Sequence, residues 1–133
     1  MKIQRIYIDT SVIGGCFDPE FAEWSLGLLR DFRSGNFQPL LSEVIAAEIA
    51  DAPENVQSVY AELVSLNSEV LTVDESALGL AEEYQKRHIL TPTFYDDGLH
   101  IALATVAEAD LLVSWNFKHI VRFDKIVCSM RSI

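Results

Sequence analysis

Ile3-Gln4-Arg5-Ile6-Tyr7-Ile8-Asp9-Thr10-Ser11-Val12 is the stretch on which the reading of the whole chain turns. Ile6, Tyr7 and Ile8 form a β-branched and aromatic run of the kind that is buried inside a sheet. Asp9 follows at once, and two hydroxyl residues follow Asp9. In an open α/β sheet, ligands bind outside the carboxyl ends of the strands. A carboxylate one residue past the apolar run is therefore placed where chemistry occurs. The same residues also fit a plainer role, since Asp9, Thr10 or Ser11 can cap a following helix. Both readings stand on this stretch alone, and the rest of the chain has to decide.

Working outward, a turn is expected at Gly14-Gly15 and Asp18-Pro19, after which Phe21, Trp24, Leu28 and Leu29 recur at helical spacing up to Ser34-Gly35-Asn36. Pro39-Leu40-Leu41 predicts a short second strand, with Ser42 as N-cap of a helix to about Asp51. Pro53 ends that helix, and Val56, Tyr60, Leu63 and Val64 line the next one. Glu69 to Val73 reads as a third strand, followed by a helix from about Glu75 to Arg87. Leu90-Thr91-Pro92 reads as a loop, and Thr93 caps a helix running through Ala107. Asp110 to Ser114 is a fourth strand, and Lys125 to Cys128 a short edge strand. Strands alternating with helices call for an α/β fold with a mostly parallel sheet covered on both faces. The expectation is a four- to five-stranded sheet in a three-layer α/β/α arrangement, one domain over residues 1–133.

Composition sets limits on function. At 133 residues the chain can bury one sizeable core, and 50% hydrophobic against 23% charged residues argues against disorder. No apolar run approaches the roughly 18 residues needed to span a bilayer. The first strand begins too early to leave room for a signal peptide. Cys16 and Cys128 lack metal-ligand spacing and read as reduced thiols, so a cytoplasmic protein is expected. Twenty acidic against ten basic residues give a net charge of −10. A protein gripping DNA or RNA through its own basic surface carries the opposite balance. Contact with nucleic acid then has to be local, or assisted by bound cations, and an acidic surface also suits a basic protein partner.

The carboxylates narrow this further. Leu41, Val44, Ile45 and Ile49 make one face of the helix after the second strand, and Glu48 falls on that stripe. A carboxylate there is costly unless it is paired, bound to metal, or able to reach water at the edge of the stripe. From Leu99 to Ala107 only His100 and Thr105 are polar, so that helix is central. Two acids sit in its first turn. Asp96 fits a capping-box pattern with Thr93, whereas Asp97 is not required by the cap and shares a side with Ile101 and Ala104. A lone His100 on such a helix is more often a satisfied core residue than a metal ligand. Ser114 and Asn116 follow the fourth strand much as Asp9 follows the first. If the two strands are neighbours, Asp9, Asp97 and Asn116 converge on one crevice, with Glu48 entering from the helix after the second strand. Three carboxylates and an amide make an oxygen-rich site that suits Mg²⁺ or Mn²⁺ rather than Zn²⁺.

The ordered set Ile8-Asp9-Thr10-Ser11-Val12, Glu48 in Ser42-Glu43-Val44-Ile45-Ala46-Ala47-Glu48-Ile49, Asp97-Gly98-Leu99-His100-Ile101-Ala102-Leu103-Ala104 and Leu111-Leu112-Val113-Ser114-Trp115-Asn116-Phe117-Lys118-His119-Ile120 resembles the PIN-domain family. It is most similar to the VapC-like ribonucleases of type II toxin–antitoxin pairs. The resemblance spans essentially the whole chain. It implies a metal-dependent endoribonuclease with Asp9, Glu48 and Asp97 as acidic metal ligands. It also implies a homodimer and a cognate antitoxin whose C-terminal segment reaches the acidic site. Many relatives carry a fourth acid near the end of strand four, where this chain has Asn116. An amide oxygen can still ligate or orient a water, but without the charge.

The expected chemistry is hydrolysis of an RNA phosphodiester at Mg²⁺ or Mn²⁺, with Asn116 and Thr10 or Ser11 positioning the reacting groups. Arg5, Lys86, Arg87, Lys118 and Arg122 are candidates for phosphate contacts or for ordinary solvated surface. A receiver-type phosphoacceptor domain would want a pair of acids at the first strand end, and Asp9 is flanked by Ile8 and Thr10. A haloacid-dehalogenase-like phosphatase needs a second Asp two residues after the first, where Ser11 stands. The remaining alternative is a PIN-like binding or assembly module that has lost catalysis.

Overall fold

The expected strand is β1 (Gln4–Ile8), in which Ile6, Tyr7 and Ile8 are almost fully withdrawn from solvent. The computed structural model describes residues 3–86 and 95–116. After β1 come α1 (Thr10–Gly15), α2 (Ala22–Arg33), β2 (Phe37–Ser42), α3 (Glu43–Glu48), α4 (Glu54–Ser65), β3 (Glu69–Leu71), α5 (Glu75–Lys86), α6 (Tyr95–Val106) and β4 (Leu111–Val113). The strands form a four-stranded sheet in the order β3-β2-β1-β4, with every pairing parallel. Tyr7 stands opposite Leu40 on one side and Leu112 on the other.

This order sets the layers. From β1 through β2 to β3 the chain steps one way across the sheet, and the connection from β3 to β4 returns past both inner strands. Right-handed crossovers then put α1 to α4 on one face and α5 and α6 on the other. The alternation along β1 agrees. Ile8 shares a small apolar cavity with Val12, Ile13, Leu29 and Leu63 from α1, α2 and α4, whereas Tyr7 reaches His100 on α6. The three-layer α/β/α arrangement is as expected.

Local chemistry explains most boundaries. Ser42 caps α3, its hydroxyl oxygen accepting from the Ile45 N–H, as read from the sequence. Helix α3 ends at Glu48, however, short of Asp51. The turn expected at Gly14-Gly15 is instead the end of α1, a helix held at its start by the Asp9 cap. Gly15 is needed there for space: a Cβ would stand 2.5 Å from Ser25 Oγ and 2.7 Å from Trp115 Nε1. Helix α6 closes on a left-handed Glu108 (φ 57°), and the Arg5 guanidinium binds the Ala107 and Glu108 carbonyls just there. Arg5 also pairs with Glu69 at 2.6 Å. Arg5 therefore clasps the amino edge of the sheet, roughly 13 Å of strand from Asp9, and is not placed for phosphate contacts at the carboxyl edge.

No described helix is long and apolar enough to cross a membrane. The loop at Leu90-Thr91-Pro92, the Thr93 cap, the strand at Lys125 to Cys128 and the basic residues Arg87, Lys118 and Arg122 lie outside the described residues.

Candidate active site

The parallel pairing of β1 with β4 puts Ile8 opposite Val113, so the next residues on each strand, Asp9 and Ser114, emerge side by side at the carboxyl edge. The expected neighbourhood of the two strands is real. Asp9 is 3% exposed. Its Oδ1 accepts from the Ser11 N–H at 3.1 Å and the Ser11 hydroxyl at 2.6 Å, and its Oδ2 accepts from the Ser114 hydroxyl. Each of these serines is oriented in turn. Ser11 Oγ accepts from the Trp115 N–H at 2.9 Å, and Ser114 Oγ from the Asn116 N–H at 3.1 Å. The carboxylate thus faces donors alone, the pattern that an acceptor-only ionised group requires. The cap reading and the site reading of Asp9 are compatible: one oxygen holds the start of α1, and the other keeps acceptor capacity at the strand end.

Glu48 is the last residue of α3, and its side chain is 29% exposed. Its Oε1 accepts from the Thr10 hydroxyl at 2.6 Å and meets His100 Nε2 at 2.8 Å. Thr10 is the residue after Asp9, so one peptide unit links the anchorage of both acids. Burial pushes the Glu48 carboxyl up, but the hydrogen bonds from His100 and Thr10 outweigh it and hold the group below its ordinary value. His100 is 3% exposed with both ring nitrogens engaged, Nδ1 meeting the Tyr7 hydroxyl at 2.6 Å. It is a satisfied core histidine, as its setting in the sequence suggests. Tyr7 is bonded onward to Ser42 at 2.8 Å, and burial raises its phenol far above the usual range, so it stays protonated.

Asp97 stands in the first turn of α6, three residues before His100, with its side chain outside the described residues, as is that of Asp96. Among the described residues no three of His, Cys, Asp or Glu form a metal-binding group. Asn116 lies exposed on the turn after β4, and the direct partner of Asp9 there is Ser114. Tyr7 and Ser42, expected from the sequence as core and cap, also belong to the chain of hydrogen bonds behind Glu48. The available signal is that a tyrosine at the centre of a buried strand must find its hydroxyl a partner.

No known protein family matches the chain by its sequence profile, and no curated protein matches its sequence. Among solved structures, the chain is similar to VapBC2 from Rickettsia felis, solved bound to a DNA fragment from their promoter. The identity is 15%, the match covers 90% of this chain and 95% of that one, and the TM-score is 0.58. At that identity the likeness speaks to architecture, and the architecture is a PIN-like α/β fold.

Proposed function

We propose that the chain is a divalent-metal-dependent endoribonuclease of the VapC kind, the toxin of a toxin–antitoxin pair. Asp9, Glu48 and Asp97 would hold Mg²⁺ or Mn²⁺. The observation that carries this reading is the pair of carboxylates, Asp9 just past the end of β1 and Glu48 at the end of α3, each anchored through hydroxyl, backbone or imidazole donors. Among the described residues no lysine or arginine bonds to either one. Two acids that, among the described residues, have no lysine or arginine partner and keep acceptor capacity to spare suit a hard cation. His100 has no nitrogen to offer, so the donor set is oxygen and disfavours Zn²⁺.

When bound, the cation supplies charge neutralisation at the phosphate and activation of the attacking water. The chain does the rest. Ser11 and Ser114 fix Asp9, Thr10 and His100 fix Glu48, and Asn116 offers an amide two residues beyond Ser114 to orient water or phosphate. A cation between an acidic pocket and an anionic substrate also reconciles a net charge of −10 with RNA. The same charge favours a basic antitoxin, and the likeness to the VapBC2 structure supports an antitoxin partner. Trp24, 63% exposed, and Phe17, 47% exposed, provide apolar surface for it or for a second copy in a homodimer. The free, buried Cys16 accords with a reducing cytoplasm.

The test is a mixed RNA pool incubated with purified protein in Mn²⁺, in Mg²⁺ or in EDTA, followed by analysis of the product ends. Attack by water with the 3′ oxygen leaving gives 5′-phosphate and 3′-hydroxyl ends. Ends carrying 2′,3′-cyclic phosphate would mean attack by the ribose hydroxyl and would contradict the reading. A binding module would leave the pool intact.

A further inference from the structure

Behind Glu48 stands a line of buried groups, of which the proposed hydrolysis uses only His100, to hold Glu48. Ser42 and Tyr7 are each 0% exposed and His100 is 3% exposed. Glu48 Oε1, as a carboxylate oxygen, can only accept, so the proton of the neutral His100 ring sits on Nε2, which meets it at 2.8 Å. In that tautomer Nδ1 accepts from the Tyr7 hydroxyl at 2.6 Å, Tyr7 Oη accepts in turn from the Ser42 hydroxyl at 2.8 Å, and Ser42 Oγ takes the Ile45 N–H at 3.4 Å. The Thr10 hydroxyl gives Oε1 its second hydrogen bond at 2.6 Å. Two donors occupy both lone pairs of that oxygen. Among the described residues, nothing donates to Oε2. The line also closes on itself, because Ser42 caps the helix whose last residue is Glu48.

We propose that Ser42, Tyr7 and His100 are positioning residues that, together with Thr10, saturate Glu48 Oε1 and present Oε2 alone to the divalent cation. The inference rests on Glu48 being a metal ligand and adds selectivity to that reading. Ligation through one carboxylate oxygen suits octahedral Mg²⁺ or Mn²⁺, whereas Ca²⁺ accepts bidentate carboxylates and higher coordination numbers. The buried line thus acts on which cation binds, without touching substrate.

Mn²⁺ and Ca²⁺ binding to the full chain, measured by titration calorimetry without RNA, tests this in the native protein, Glu48→Gln, His100→Leu, His100→Gln and Thr10→Val. His100→Leu is expected to lower Mn²⁺ affinity about tenfold or more, the range for removing a group that orients a ligand. It is also expected to narrow the preference for Mn²⁺ over Ca²⁺. His100→Gln, whose amide N–H can take the place of Nε2–H, is expected to recover most of the affinity, which a merely space-filling role for the ring would not predict. Should His100→Leu fail to fold by circular dichroism, Thr10→Val reads the same loss through the other donor. Native affinity and native Mn²⁺/Ca²⁺ preference in the folded variants at His100 and Thr10, with affinity lost in Glu48→Gln, overturns the positioning role and leaves Glu48 a ligand. Unchanged affinity in Glu48→Gln overturns the ligand reading, and the positioning proposal with it.

Discussion

Replacing Tyr7 with Phe removes one oxygen from the centre of β1 and leaves the ring in place, so no sizeable cavity opens. The hydroxyl serves two buried partners, Ser42 at 2.8 Å and His100 Nδ1 at 2.6 Å. Ser42 keeps its bond from the Ile45 N–H, so its loss is one ordinary hydrogen bond of about 0.5–1.5 kcal/mol. His100 Nδ1 is left with no partner at a residue 3% exposed, which costs about 1–3 kcal/mol. The expected destabilisation is about 2–4 kcal/mol, a large part of the roughly 5–15 kcal/mol that holds a typical domain. Urea unfolding followed by circular dichroism in EDTA reads it, with the denaturant slope unchanged if the variant keeps its compactness. A loss below about 0.5 kcal/mol would refute the reasoning, because water would then be reaching His100 and the line behind Glu48 would not be dry.

Three further outcomes are expected. Glu48 has a folded value below its ordinary 4.5, so its contribution to stability is complete above that value and is lost as pH falls through the lower folded one. In EDTA, the stability advantage of the native chain over Glu48→Gln should be flat at neutral pH and shrink on acidification below about 4.5, as followed by unfolding at stepped pH. Gly15→Ala places a methyl 2.5 Å from Ser25 Oγ and 2.7 Å from Trp115 Nε1, so a loss of about 1–3 kcal/mol is expected, with an altered tryptophan fluorescence spectrum. Arg5→Ala releases Glu69 and the carbonyls that close α6, costing about 1 kcal/mol in thermal unfolding. RNA cleavage by the folded Arg5→Ala variant should match that of the native chain.

What the sequence made legible was whatever depends on local pattern. The apolar run from Ile6 to Ile8 marked a buried strand, the alternation of strands and helices implied parallel pairing, and the strand-end rule picked out Asp9. Ser42 was readable as a cap because capping is a short-range bond. Helix α1 was not readable, because Gly14 and Gly15 look like a turn. The Asp9 cap, and the room Gly15 leaves for Ser25 and Trp115, make it a helix instead. Arg5 could not be assigned by charge alone, since nothing local says at which edge of the sheet it ends. Periodicity placed Tyr7 and His100 inside but could not name their partners, and the bond between them joins residues 93 apart in the chain. Ser114 was noticed for its place after β4, yet its clamp on Asp9 needed the β1–β4 register.

The central claim is that the carboxylates at the carboxyl edge of this PIN-like fold, Asp9 first among them, carry metal-dependent RNA cleavage. It is tested most directly by the initial rate of cleavage of one RNA by the native chain and by Asp9→Asn, each in Mn²⁺ and in EDTA. The expected result is cleavage by the native chain in Mn²⁺ alone, with a loss of at least about a hundredfold on removing one charge from the site, on the scale of a deleted electrostatic contact to the reaction. Cleavage that persists in EDTA, or that survives Asp9→Asn undiminished, would contradict it.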